Sequence, residues 1–158
     1  MRKSSPSSKE IAGNSEKYES YREAWSRITS ALENHFYLEA ITIEESIISD
    51  RLISAFSGSK SLKPLPELKN GRSHSFYQLI EHWHSAFSGG LQSGEYSNLI
   101  EAVDQWRCMR NRAVHAIVKS TPGEPHPSID GFLLIARETA EKGEKLAREV
   151  SKWNKQSK

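Results

Sequence analysis

Beyond about residue 15, apolar residues recur at spacings of three and four along most of the chain, and breaks rich in glycine and proline divide the pattern. Tyr18, Tyr21, Trp25, Ile28 and Leu32 predict a helix over roughly Ser15–His35 with those side chains facing inward. Tyr37, Ile41, Ile48 and Leu52, widened by Ala40, Ile43 and Ile47, predict a second over Phe36–Ser57. A loop containing Gly58, Pro64, Pro66 and Gly71 follows, and Lys60, Lys63, Lys69 and Arg72 make it basic. Phe76, Leu79, Ile80, Trp83 and Phe87 predict a third helix over Ser75–Ser88, stopped by Gly89 and Gly90.

The fourth helix is predicted over Glu95–Val118, on a ladder of Leu99, Val103, Trp106, Ala113 and Ile117. One rung of that ladder, position 110, is an arginine. Three prolines and a glycine in "STPGEPHPS" end the helix. The fifth helix, over Ser128–Asn154, carries a seam of Phe132, Ala136, Thr139, Gly143, Leu146, Val150 and Trp153. Its small members permit close helix approach. No strand pattern remains, so the fold class is all-α, a single-domain bundle of about five helices. Residues 1–15 form an N-terminal tail, 16–154 the domain and 155–158 a C-terminal tail.

Composition changes this picture little. The chain has 158 residues, with 36% hydrophobic and 27% charged, enough for one globular core. No apolar run is long enough to span a membrane, and no apolar segment follows the basic N-terminus. The single cysteine, Cys108, excludes an intrachain disulfide and a cysteine-based zinc site, which fits a reducing, cytoplasmic compartment. A net charge of +2 is too small for a whole-surface nucleic-acid footprint, so any RNA contact is local.

Candidate chemistry gathers on the fourth helix. At about 100° per residue, Arg107, Asn111 and His115 line up, whereas Arg110 lies about 140° from His115. A long guanidinium can still reach around into a cleft between helices. Guanidinium suits phosphate oxygens, an imidazole can move a proton near neutral pH, and an amide can orient either. Together they suit RNA cleavage, because the ribose 2′-hydroxyl is itself the nucleophile and no metal or other cofactor is required in principle.

The stretch "RNRAVH", Arg110–His115, resembles the R-x4-H signature, with Asn directly after Arg, of the HEPN superfamily (higher eukaryotes and prokaryotes nucleotide-binding domains). That resemblance covers about residues 16–154 in helix order and number. It implies a compact helical bundle and a metal-independent endoribonuclease. It also implies a homodimer in which two motifs meet, and a setting in toxin–antitoxin or phage-defence systems with an antitoxin or defence partner protein. By position, Arg110 would hold the phosphate, Asn111 would be its polar companion and His115 the catalytic histidine. Arg107 and Arg112 would be substrate-binding cations. A non-catalytic HEPN-like module that binds nucleotide or protein is the alternative.

Each residue also has a structural reading. A buried arginine needs an acid, and Glu44, which interrupts the second helix's stripe between Ile41 and Ile48, is the candidate partner that would hold Arg110. His82 and His84 point about 200° apart and cannot share a metal. His74 and His126 fall in loops and are expected to be solvated. Cys108 is expected to be a passive buried thiol, and Trp25, Trp83, Trp106 and Trp153 core residues. Glu39, Glu44, Glu45 and Asp50 resemble the acid-rich helix of magnesium-dependent nucleotide pyrophosphatases. The facing helices offer few partners for them, only Glu81 on the third and Glu95, Glu101 and Asp104 on the fourth.

Overall fold

A computed structural model describes residues 8–116, 118, 122–126 and 128–157. Among them the chain forms five α-helices: α1 (Ser8–Glu33), α2 (Tyr37–Gly58), α3 (Phe76–Ala86), α4 (Leu99–His115) and α5 (Ile129–Gln156). No strand occurs among the described residues; Ser93 and Tyr96 form an isolated bridge. Ile117, residues 1–7, and Ser120, Thr121 and Pro127 of the loop that ends α4 lie outside the described residues.

Two helix starts differ from the sequence reading. Helix α1 begins at Ser8, inside the stretch read as a tail. Good helix formers such as Lys9, Glu10 and Ala12 let the turn propagate back toward Pro6 without an apolar stripe. Helix α4 begins four residues later than expected, because Asn98 caps it. The Asn98 side chain accepts from the Glu101 amide at 3.4 Å and from the Leu91 amide at 3.3 Å, and residues 95–97 lie outside the helix, with Tyr96 bridged to Ser93. Ser128 caps α5 by accepting from the Gly131 amide at 3.0 Å. At α3, Ser75 and Gln78 make a reciprocal capping box.

The direction of each helix follows from the cross-helix contacts. Along α2 and α5, Tyr37 and Leu38 line a cavity with Phe132 and Ala136, Glu44 meets Gly143, and Asn154 donates to the Arg51 carbonyl at 2.6 Å. Rising numbers on one match rising numbers on the other, so α2 and α5 run parallel. Helix α4 runs against both: Ser93, just before it, donates to Glu149 at 2.7 Å, while the Trp106 indole donates to the Thr139 carbonyl at 2.8 Å. The C-terminal end of α4 therefore meets the N-terminal ends of α2 and α5. Helix α1 lies antiparallel on α2, tied by Tyr21 and Lys17 to Asp50 at one end and Arg27 to Glu39 at the other.

The core is built from the predicted stripes. Ile28, Ile41, Ile48, Leu52, Leu79, Ile80, Trp83, Val103, Trp106, Leu146 and Val150 are all buried. Trp83 packs on Trp153 with ring centroids 5.0 Å apart, and Phe76 meets Trp106 edge-on at 6.1 Å. Tyr18 departs from its expected place: it is 65% exposed, on the outer side of α1 with the Arg22 guanidinium 6.0 Å from its ring centroid, while Lys17 and Tyr21 on either side of it reach Asp50 of α2. Trp25 is half-buried, with the Arg148 guanidinium 4.6 Å from its ring centroid.

Gly143 sets how closely α5 approaches its neighbours. A Cβ there would lie 2.3 Å from a Glu44 carboxyl oxygen and 2.7 Å from the Trp106 ring. Gly143→Ala must push both of them away. We expect the variant to lose roughly 1–3 kcal/mol of stability in urea denaturation; an unchanged midpoint would show that the contact is looser than this packing implies.

Candidate functional site

Arg110 does lie on the inward-facing side of α4, but its head group reaches the edge of the core rather than its centre, and the side chain is 23% exposed. Two neighbours hold it. Nη1 donates to the Asn111 side-chain oxygen at 2.6 Å, and Nη2 donates to a carboxylate oxygen of Glu45 on α2. Its Nε is buried and has no acceptor. The guanidinium is thus bonded to Asn111, which the spacing had aligned with Arg107 and His115 instead, and is neutralised by an acid from another helix.

That acid is Glu45, not Glu44, which corrects the sequence reading. Consecutive helix residues point about 100° apart. Glu44 belongs to the stripe that faces α5, where it is fully buried against Gly143 and Trp106. Glu45 is turned onto the flank that faces α4, and its side chain is 24% exposed. The interruption of an apolar stripe correctly marked Glu44 as inward-facing, but the partner for a cation at the core's edge came from the flank. An acid beside the stripe, rather than within it, was the signal available.

Neither Glu44 carboxyl oxygen has a hydrogen-bond partner. Burial, and then the nearby Glu144, push its carboxyl up to about 9. Glu44 is therefore a neutral acid inside the core at neutral pH, and it offers Arg110 no charge.

His115 is the last residue of α4 and is exposed. Among the described residues it makes no hydrogen bond or ion pair, and neither does the exposed Arg112. Both sit in the last turn, where the helix dipole favours cations. Nothing bonds His115 to Arg110 within one chain, so the two groups share an end of the bundle without forming a closed pair. Arg107 is engaged elsewhere: its Nε donates to Asp104 at 2.9 Å and its guanidinium lies 5.0 Å from the Tyr77 ring centroid. Of the two candidate substrate-binding cations, Arg112 is the open one.

The remaining candidates resolve as follows. Cys108 is exposed, not buried, because it lies about 200° around α4 from the buried Trp106. His74 is half-buried with its Nε2 enclosed, rather than solvated. His82 is bonded through Nε2 to the Lys63 carbonyl at 2.9 Å and packs edge-on against Phe56 at 4.6 Å. Lys63 of the basic loop is thereby fixed near the end of α2. That is roughly 28 Å along the helix from the end where His115 lies, at 1.5 Å per residue. Among the described residues no three His, Cys, Asp or Glu side chains gather as a metal site.

The buried acid makes stability depend on pH. Because the folded-state value of Glu44 is raised from 4.5 to about 9, folding favours its protonated form. Stability it contributes is fully present below about 4.5 and is lost as pH rises toward about 9, at a slope approaching about 1.4 kcal/mol per pH unit. Glu44→Gln keeps the shape without the titration, so its stability relative to the parent should climb between pH 5 and pH 9; a pH-independent difference would contradict a buried neutral acid. No family model matches this chain, and no curated protein and no solved structure matches it either.

Proposed function

We propose that this chain is a metal-independent endoribonuclease of HEPN type, acting as a homodimer in a toxin–antitoxin or phage-defence setting. The observation that carries the reading is the arrangement at the end of α4: a guanidinium oriented by the adjacent Asn111, with an exposed His115 in the helix's last turn that bonds to none of the described residues. Arg110 would hold the phosphate, Asn111 would keep the guanidinium in plane, and His115 would move the proton. Arg112, exposed in that same last turn, would contact a neighbouring phosphate.

The chemistry needs few parts. His115 accepts the proton of a ribose 2′-hydroxyl, and the 2′-oxygen attacks the adjacent phosphorus. The bond to the 5′-oxygen breaks, and that oxygen takes up a proton. Arg110 stabilises the charge that builds on the phosphoryl oxygens. The separation of Arg110 from His115 within one chain favours assembly of the working site from two copies, so that one copy's arginine faces the other's histidine. One observation favours the alternative, a non-catalytic module that binds nucleotide or protein: the guanidinium already has a carboxylate partner.

Cleaved RNA should carry a 2′,3′-cyclic phosphate and a 5′-hydroxyl, DNA should remain intact, and EDTA should have no effect. His115→Ala should lose about 10²–10⁴-fold in rate and Arg110→Ala about 10²–10³-fold, both with the fold intact by circular dichroism. End-group analysis of the products checks this; cleavage that needs magnesium or persists in His115→Ala would put the binding module first. Light scattering at tens of micromolar should give a dimer, and a monomer that still cleaves RNA would rule out the two-copy site.

A further inference from the structure

We propose that Glu45 is an inhibitory carboxylate: it occupies the Arg110 guanidinium until an RNA phosphodiester displaces it. This rests on the ribonuclease reading only in taking the displacing anion to be an RNA phosphate.

The geometry of the pair is that of a latch rather than a permanent core bond. Glu45 and Arg110 come from different helices, 65 positions apart in sequence, and both side chains are about a quarter exposed. Solvent anions can therefore reach the pair. Glu45 holds the guanidinium through one oxygen on one nitrogen, Nη2, although a guanidinium can offer a two-toothed edge to an oxyanion. Asn111 fixes the other arm, Nη1, at 2.6 Å. The cation is thus held in position and neutralised at once. Packing does not require the pair: α2 and α4 are already locked against α5 through Glu44, Gly143 and Trp106. Arg110 is a useful phosphate ligand only when its charge is uncovered, and one carboxylate covers it.

The test measures binding and cleavage in parallel. Wild type, Glu45→Gln, Arg110→Ala and the double variant are titrated with a fluorescent 2′-O-methyl oligoribonucleotide of mixed sequence, which has no 2′-hydroxyl to attack. Unmodified RNA is supplied separately to read cleavage. Glu45→Gln should bind about two- to fivefold more tightly, the scale of a partly exposed ion pair. The gain should vanish when Arg110 is also replaced, since a mere change in net charge would survive that replacement. Glu45→Ala should shift affinity in the same direction, which covers the case in which the glutamine variant fails to fold. Equal or weaker binding by both Glu45 variants, or a gain that persists without Arg110, overturns the latch. Tighter binding with no cleavage by any variant supports the latch and removes the ribonuclease. Cleavage by wild type with no gain in binding does the reverse, and no RNA binding by any variant removes both.

Discussion

Everything else in the bundle is arranged around the point where the Glu44 carboxyl rests on the bare backbone of Gly143, with the Trp106 ring alongside. Three helices meet there. A residue with a Cβ at position 143 would hold α5 away from α2 and α4. The indole N–H of Trp106 then could not keep its bond to the Thr139 carbonyl at 2.8 Å. The carboxyl is tolerated in this dry position because burial keeps its proton on. A charged group with no partner would cost several kcal/mol, whereas the neutral acid costs only unmade hydrogen bonds.

The same contact decides what surrounds Arg110. Once Glu44 is committed to α5, the next residue along α2 is rotated by about 100° and faces α4. Glu45 then meets a guanidinium that has climbed out of its own stripe. Two adjacent glutamates thus have opposite chemistry: one is a neutral core residue, the other a charged surface partner. Antiparallel packing of α4 against α2 and α5 brings the last turn of α4, with Arg112 and His115, to the end of the bundle where α2 and α5 begin. The basic loop is anchored through Lys63 and His82 at the far end of α2, so it does not lie beside the last turn of α4, which carries Arg112 and His115.

Helix number, helix order and most of the core were legible because each stripe has a facing partner. Trp83, Trp106, Ile41 and Val150 fall where periodicity puts them. What failed was information that periodicity does not carry. Tyr18 keeps the period yet faces water, since Tyr21 and Lys17 rather than Tyr18 are the side chains turned to α2 there. Asn98 shortens α4 because a side chain competing for backbone amides outweighs apolar spacing. Cys108 was read as buried from residue type alone, although its helical position is outward. For the candidate site, helical spacing aligned Asn111 with Arg107 and His115, whereas its side chain bonds the adjacent Arg110. The Glu45 contact spans two helices and depends on their rotation, which no single helix pattern specifies.

The account stands or falls on whether the end of α4 receives a phosphate. Side-chain NMR of the nitrogen-labelled protein, titrated with a short 2′-O-methyl oligoribonucleotide, reads this at the atoms concerned. The account predicts that the Arg110 Nε–H and the His115 ring resonances shift together and saturate at one midpoint. If both stay still while signals from Lys60, Lys63, Lys69 or Arg72 move, RNA is held by the loop and the site assigned to α4 is wrong.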